Sequence, residues 1–398
     1  MSRYHEGVYS PVGEELTAFD LKVEGALPPE LRGLYLRNGP NPATPPEPGQ
    51  HWFAGDGMVH GVAVADGKAL WYRNRFVRTA LLARTGRPAA PGAERTPSPS
   101  NTNVIRHAGR ILALCEPDSL PLELSRELES IGVCDFGGSL ARGFTAHPKI
   151  DPGSGELHVW GYDVVRAPHL TYHVISRDGR DVRAVPIDLP CGTIAHDFAI
   201  TERRVVFLDL PVRPDTAAVG RGNRFPLRWQ PETGARVGVM PRGGGSEDVR
   251  WFDVEPCYVF HPMNAYDDGD RVVLDVVRYP VLHGGPHPVL GPFDEEGTTL
   301  DRWTLDLASG RTREGRLCDR ALEFPRVDER CTGRRHRYGY ATTLARGPRV
   351  IDVNYRCRPH CPAQIVTRAC LLPHQICYRE VADEGRPHGR RNQHPGPA

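Results

Sequence analysis

Short runs of alternating or apolar-rich residues dominate the chain, and turn-forming residues separate them. The runs are rich in Val, Ile, Leu, Trp and Tyr, which favour the pleated, half-buried surface of a strand. Several runs join at Asp-Gly or Ser-Gly turns, which indicates hairpins. The clearest strands are predicted at ALWYRNRFV, ELHVWGYDVV, LTYHVIS, RVVFLDLPV, RVVLDVVRY and DRWTLDLASGRTREG.

One stretch, EPDSLPLELSRELESIG at residues 116–132, is expected to be briefly helical. The many short hairpins elsewhere predict an all-β fold. A β-propeller, with blades of about 40–50 residues, accommodates the 398 residues in one domain. A pair of large β-sandwiches is the alternative that the pattern leaves open.

Composition and charge narrow the function. Lys and Arg balance Asp and Glu to a formal net charge of +1, so no electrostatic footprint for nucleic acid is present. No run of 18 apolar residues predicts a membrane span, and the polar N-terminus lacks the apolar segment of a signal peptide. We therefore expect a cytoplasmic bacterial protein, without a disulfide framework among its ten cysteines.

Three histidines in strand-like frames are the strongest chemical signal. They are His147 in GFTAHPKIDP, His196 in IAHDFAIT and His261 in YVFHPMNAYDDGD. A lone histidine is most often a hydrogen-bonded core or turn residue, but three in similar frames favour a metal site, since imidazole suits Zn, Fe, Cu and Ni. The innermost strand of each propeller blade faces the central axis, so one histidine per inner strand would meet the others there.

A lone acid, Glu323, precedes Phe324 and Pro325 in an apolar patch. Histidines that bind a metal generally donate their other ring N–H to a carboxylate or a carbonyl. A buried Glu323 beside neutral imidazoles would therefore accept the ring N–H of a metal-binding histidine.

These elements together resemble the carotenoid cleavage oxygenase family over roughly residues 5 to 347. The matching motifs, in the family's order, are RNGPNP (37–42), FAGDGMVHG (53–61), NRFVRT (74–79), the frame of His147, HDFAIT (196–201), FHPMNAYDDGD (260–270) and EFPRVD (323–328). The resemblance implies a seven-bladed β-propeller, capped by a dome of loops and helices that forms an apolar tunnel. It also implies one Fe(II) per chain on the propeller axis, held by four histidines.

The resemblance assigns His147, His196 and His261 as the first three iron ligands. Glu116 and Glu323 match two carboxylates that stand behind the ligands, and no catalytic residue is expected beyond the metal site. The implied reaction splits a conjugated C=C bond of a carotenoid or apocarotenoid with O₂ into two carbonyl products. The implied partners are an apolar polyene, O₂ and a peripheral membrane contact for extracting the substrate.

Two positions bear on the choice of substrate. Stilbene-cleaving relatives grip a phenol hydroxyl with a Lys and a Tyr, and the corresponding places here hold Cys115 and Phe76. The absence of this grip favours a polyene over a stilbene, which is kept as an alternative. Both residues are predicted to line the substrate tunnel.

The chain departs from the family after about residue 348. Residues 1–348 are predicted to form the propeller and residues 349–398 an atypical tail, rich in Arg, Pro, His and Cys, that is out of frame or disordered. Val350–Ala398 is expected to lack blade strands, which would leave the propeller incomplete at its C-terminal end. His388 is the nearest formal candidate for the fourth ligand, and further candidates are His360, His374 and His394.

The missing fourth-ligand motif motivates an alternative of a different class, a catalytically impaired or non-catalytic propeller of the same lineage. A propeller hydrolase with a hard cation is a third interpretation, although such sites prefer oxygen ligands. Within the tail, CRPHC with Cys370, His374 and Cys377 could be interpreted as a zinc cluster, but its spacings match no common module.

Overall fold

The structure is a computed structural model in which almost every regular element is a β-strand. It describes residues 10–47, 50, 52–117, 119–140, 143–180, 182–215, 227–282, 297–343, 354–358 and 361–366. The helices in these ranges are 3-10 turns of three or four residues, at Trp52–Ala54, Leu82–Thr85, Ala93–Arg95, Pro231–Thr233, Ser246–Asp248 and Glu329–Cys331. The all-β prediction is confirmed, and no described helix is long and apolar enough to cross a bilayer.

Across the described ranges, the strands form six four-stranded antiparallel sheets, which follow one another along the chain. The first sheet contains β1 (Thr17–Phe19), β2 (Gly33–Asn41), β3 (Asp56–Ala65) and β4 (Lys68–Phe76), in the order β1-β4-β3-β2. The second contains β5 (Asn103–His107), β6 (Arg110–Leu114), β7 (Leu122–Leu124) and β8 (Ser130–Val133). The third contains β9 (Lys149–Ile150), β10 (Leu157–Tyr162), β11 (Leu170–Ile175) and β12 (Val182–Ile187).

The later sheets repeat the same meander. The fourth contains β13 (Ala199–Ile200), β14 (Arg204–Asp209), β17 (Ala235–Pro241) and β18 (Arg250–Val254), and the ribbon of β15 (Val212–Pro214) and β16 (Leu227–Trp229) is inserted into it. The fifth contains β19 (Pro262–Asp268), β20 (Arg271–Arg278), β21 (Thr299–Asp306) and β22 (Thr312–Cys318). The sixth contains β23 (Leu322–Arg326), β24 (Tyr340–Thr343), β25 (Asn354–Arg358) and β26 (Cys361–Val366).

The strands predicted from the sequence are present with nearly the expected bounds. The two predicted hairpins are β11–β12 and β21–β22, and both are antiparallel pairs. Their turns contain Gly179 and Gly310 at φ values of +71° and +75°, a conformation that glycine adopts without a steric penalty. Turn chemistry and the alternating pattern therefore agree on the same local structure.

The helix predicted at residues 116–132 is wrong, because this stretch supplies β7 and β8. Leu122 and Leu124 are buried and Glu123 between them is half-buried, a period of two residues that suits a strand. Leu122 pairs with Ala113 of β6 and with Val133 of β8. Pairing with a neighbouring strand thus outweighs the helix-forming composition of the segment.

The expectation that Val350–Ala398 lacks blade strands is wrong for two segments. The strands β25 and β26 pair with each other, and β25 pairs with β24, so they complete the sixth sheet. The rest of the tail lies outside the described residues. The domain division at residue 348 and the count of seven blades stay predictions.

One end strand of each of several sheets stands beside an end strand of the next, β2 in the first sheet and the first strand in the later ones. β2 contacts β5, β13 contacts β19, and β19 contacts β23. The largest apolar core lies between the fourth and fifth sheets, where Val237 and Phe252 pack with Leu274 and Trp303.

The motifs near the N-terminus join the first two sheets. The Asn38 side chain of RNGPNP is buried, and its Nδ2 donates to the carbonyl oxygens of Ser100 at 2.8 Å and Asn103 at 2.9 Å. In FAGDG, a Cβ on Gly57 would lie 2.4 Å from the carbonyl oxygen of Ser100, so only glycine fits there. The motifs therefore serve close backbone packing.

Buried neutral histidines predict sensitivity to acid. Burial, followed by the charge of Arg242, lowers the pKa of His158 from 6.5 to about 3, so the native state excludes the proton that the unfolded chain binds. Stability is therefore complete above pH 6.5 and declines as the pH falls towards 3, by about 2 kcal/mol at pH 5 from this residue.

Urea unfolding at pH 7 and pH 5 measures this effect. The free energy of unfolding should be higher at pH 7 than at pH 5, and we expect His158→Gln to reduce this difference by about 2 kcal/mol. An unchanged difference in the variant would show that His158 is not responsible.

Candidate metal centre

The three histidines lie in connecting segments just before the first strands of three successive sheets. His147 precedes β9 by two residues, His196 precedes β13 by three, and His261 immediately precedes β19. One ligand atom from each of the three imidazoles lies within 4.8 Å of the other two. The predicted convergence is confirmed.

The geometry of the triad suits a single metal ion. Nε2 of His196 lies 3.2 Å from Nε2 of His261, and the three ring centroids are separated by 4.5 to 5.0 Å. Two imidazole nitrogens at right angles around a metal, each at about 2.1 Å, would lie roughly 3.0 Å apart. The observed separation of His196 and His261 is close to that value.

Two glutamates orient two of the imidazoles from behind. Nδ1 of His196 contacts Oε1 of Glu116, and Nδ1 of His261 contacts Oε2 of Glu323 at 2.8 Å. A proton on Nδ1 that is donated to a carboxylate leaves the Nε2 lone pair free and directed into the centre. Both glutamates therefore lie behind the imidazoles, as the family resemblance implies.

The electrostatics of the triad favour a cation at its centre. Burial and the neighbouring imidazoles of His196 and His261 hold the pKa of His147 well below 6.5, so His147 is neutral at pH 7. Burial opposes protonation of His196, but the Glu116 carboxylate raises the pKa of His196 overall. This carboxylate therefore attracts positive charge to the centre, and a bound metal would supply that charge.

The donor set fits a divalent metal of the borderline class. Nε2 of His147 is buried and has no hydrogen-bond partner among the described residues, which is costly for a polar atom unless a ligand engages it. Three imidazoles backed by two carboxylates suit Fe, Zn, Cu or Ni. His388, His360, His374 and His394 lie outside the described residues, so the fourth ligand stays a prediction.

Aromatic rings surround the triad, and none of them is among the site residues predicted from the sequence. The Phe260 ring lies 5.4 Å from His196, and the Phe324 ring lies 5.6 Å from His261. Burial, then the Glu116 carboxylate, raises the pKa of Tyr162 and of Tyr258 well above 10, so both phenols stay protonated. Phe260 and Phe324 each adjoin a predicted site residue within a family motif, and this is the sequence signal that points to them.

A cavity of about 290 Å³ is lined by residues that follow each histidine along the chain. Its wall includes Pro148 and Lys149, Phe198, Pro262 and Arg326. Lys149 Nζ forms an ion pair with Oδ1 of the buried Asp197 at 2.7 Å. The first strands of the third, fourth and fifth sheets therefore leave an open space between them, lined by close sequence neighbours of the three histidines.

The two predicted tunnel residues are both buried. Phe76 ends β4 and packs with Met58 and Leu82. The Cys115 thiol, next to Glu116 in the chain, lies 3.4 Å from Oδ1 of Asn101. Their role as a tunnel lining stays a prediction.

Comparisons with known proteins identify the family of the chain. The family model described as "Retinal pigment epithelial membrane protein" matches residues 9–360. A carotenoid cleavage oxygenase of Mycobacterium tuberculosis is 43% identical over 392 residues, which cover 86% of this chain and 78% of that protein.

Two solved structures are also similar to this chain. Pseudomonas brassicacearum lignostilbene dioxygenase superposes with a TM-score of 0.78 at 32% identity, and cobalt-substituted Synechocystis apocarotenoid oxygenase with 0.76 at 25%. Each comparison covers 90% of this chain and 82% of the other. Family model, sequence and structure thus agree, and the chain belongs to the retinal pigment epithelial membrane protein family of carotenoid cleavage oxygenases.

Proposed function

We propose that the chain is a non-haem Fe(II)-dependent dioxygenase that cleaves a conjugated C=C bond of a carotenoid or apocarotenoid. One observation carries the proposal: three imidazoles converge, two buried and one partly buried, and carboxylates orient two of them, in a chain of this family. Neutral imidazole ligands do not compensate the charge of a divalent metal. An uncompensated metal charge suits redox chemistry on a neutral substrate.

His147, His196 and His261 would hold the iron, with a fourth ligand from the C-terminal region, for which we propose His388. When bound, Fe(II) would supply the redox chemistry by which O₂ reacts with an alkene. Both oxygen atoms of O₂ enter the products, so one C=C bond gives two carbonyl groups and no further reductant is required.

The chain's own side chains provide orientation and a dry environment. Glu116 and Glu323 hold the Nδ1 protons of His196 and His261, which keeps the Nε2 lone pairs directed inward. The rings of Phe260 and Phe324 flank these two imidazoles and present apolar surface beside them. A dry site protects a reactive metal centre from side reactions and suits an apolar substrate.

We further propose the architecture expected for this function. The six four-stranded sheets would be blades of a seven-bladed propeller whose ring is incomplete at its C-terminal end, with Phe76 and Cys115 in the substrate tunnel. An apolar polyene dissolves in membranes, so delivery through a peripheral membrane contact is part of the proposal.

Stilbene cleavage is the second candidate, and the similarity to lignostilbene dioxygenase supports it. Cys115 and Phe76 support the polyene, since neither offers a charged or phenolic partner for a stilbene hydroxyl. A catalytically impaired member of the lineage is the alternative if a fourth ligand is missing.

The test combines metal analysis with turnover. Elemental analysis should find about one iron per chain after anaerobic reconstitution with Fe(II). An apocarotenal and a hydroxystilbene are then incubated side by side in air, and the carbonyl products are quantified by mass spectrometry, with ¹⁸O₂ to trace both oxygens. Faster cleavage of the stilbene would overturn the substrate assignment, and full activity without iron would overturn the metal assignment.

A further inference from the structure

The carboxylate of Glu323 has hydrogen-bond donors on both of its oxygens. Oε2 accepts from Nδ1 of His261 at 2.8 Å and from the backbone N–H of Phe324. Oε1 accepts from the phenol hydroxyl of Tyr279 at 2.7 Å. Glu323 is fully buried, so these donors replace the water that would otherwise solvate its charge.

The local backbone is shaped around this arrangement. β23 carries a bulge between Glu323 and Arg326, and Phe324 adopts a φ of +53°, which is uncommon for a residue other than glycine. This conformation turns the Phe324 N–H back towards the Glu323 side chain. Such backbone conformations persist where the surrounding contacts hold them, and they cluster at functional sites.

The carboxylate behind His196 has a different environment. Glu116 contacts His196 through Oε1, and the Tyr162 phenol also interacts with this carboxylate, which, after burial, contributes to the raised pKa of Tyr162. The residue after Glu116 is Pro117, which has no backbone N–H to donate. The two histidine–carboxylate pairs therefore differ in the backbone donor, which only Glu323 receives from its following residue.

Tyr279 is itself held by rigid neighbours. Its backbone exchanges two hydrogen bonds with Tyr258, at 2.9 and 2.8 Å, directly after β20 ends. Its ring packs edge-on against Phe260 with the centroids 5.2 Å apart. The position of the phenol oxygen is thus set by the junction that leads into the fifth sheet.

We propose that Tyr279 is a positioning residue of the metal centre, which fixes Glu323 and, through it, the direction of the His261 imidazole. This inference rests on the proposed function, because it assigns the reason for the fixed direction to metal binding. Loss of the phenol O–H leaves a buried carboxylate oxygen without a donor and frees the carboxylate to rotate. The hold on His261 Nδ1 then weakens, although His261 itself is unchanged.

The experiment measures Fe(II) affinity by anaerobic competition with a chromophoric chelator. Removing a partner behind a metal ligand typically costs about 10–100-fold in metal affinity, and we expect Tyr279→Phe to lie near the lower end, at about 10-fold. The matched control is Tyr172→Phe, which removes a buried phenol that hydrogen-bonds Nδ1 of His158 in the third sheet. It should bind Fe(II) within about twofold of the wild type, and both melting temperatures are recorded.

A double-mutant cycle separates positioning from general destabilisation. Glu323→Ala, which removes the acceptor of the Tyr279 hydroxyl, should weaken Fe(II) binding alone. Adding Tyr279→Phe should then change the affinity by less than about twofold, because the effects of interacting residues are not additive. A tyrosine that supports only the fold would lower affinity by the same factor in both backgrounds.

The possible failures are distinguishable. If Tyr279→Phe binds Fe(II) as the wild type does, or if its effect is equal with and without Glu323, the assignment of Tyr279 is overturned and the proposed function stands. If the wild type takes up no Fe(II), the proposed function fails and the assignment fails with it.

Discussion

The His261→Ala variant should retain no stoichiometric iron and should cleave its alkene substrate more than about 100-fold more slowly than the wild type. Substitution of a residue that only hydrogen-bonds a metal ligand typically lowers metal affinity or activity by roughly 10–100-fold. Loss of the ligand itself should lower both by a larger factor. The variant also leaves Glu323 buried without its imidazole partner. Iron content by elemental analysis and initial rates under air measure the two effects.

His60→Ala is the matched control for this prediction. His60 lies in β3 of the first sheet, and its Nδ1 hydrogen-bonds the Tyr72 hydroxyl at 2.8 Å, so the substitution removes a part-buried histidine outside the triad. It should keep its iron and lose less than about threefold in rate, within the range of ordinary stability effects. Equal losses in the two variants would contradict a metal role for His261.

Trp160→Ala should lower the free energy of unfolding by about 3–5 kcal/mol, the range for truncating a large buried aromatic side chain. The Trp160 ring is fully buried in β10, with Phe198 at 4.9 Å and Phe207 at 5.7 Å between centroids. Phe198 follows His196 by two residues, so the cavity would also loosen one side of the triad. Urea unfolding measures the stability, and iron content measures the effect on the site.

Trp160→Phe separates packing from hydrogen bonding. Nε1 of Trp160 is buried and has no hydrogen-bond partner among the described residues, so the indole contributes through its volume. A phenyl ring refills much of the space, and we expect a loss of about 1–2 kcal/mol. If Phe and Ala destabilise the protein equally, ring packing is not the source of the stability.

The strands and the three histidines could be predicted because both depend on local signals. The valine-rich run RVVLDVVRY predicts β20, which is buried on both faces, and each histidine has its own frame. Their convergence required an architecture that places first strands side by side, which the propeller hypothesis supplied. Glu116 could be assigned only by resemblance, since nothing near it in the sequence indicates that it lies against His196, 80 residues away.

The wrong predictions have physical causes. The helix expected at residues 116–132 fails because β6 offers the segment a pairing partner that composition does not reveal. The unusual composition of the tail predicts no strands, yet β25 and β26 form there, because the backbone makes the hydrogen bonds between strands and most residue types permit them. Tyr279 could not be identified because its partner, Glu323, lies 44 residues further along the chain.

Because each histidine lies just before the first strand of a different sheet, a bound metal would cross-link distant parts of the chain. His147 and His261 bracket a loop of roughly 110 residues, and closing a loop of that length in a flexible chain carries a substantial entropic cost. A site that only the folded chain assembles binds metal only in the folded state, so metal binding stabilises the fold. Tighter metal binding would then raise the melting temperature of the metal-bound protein. In such a protein, selection for tight metal binding would also maintain the packing of three sheets.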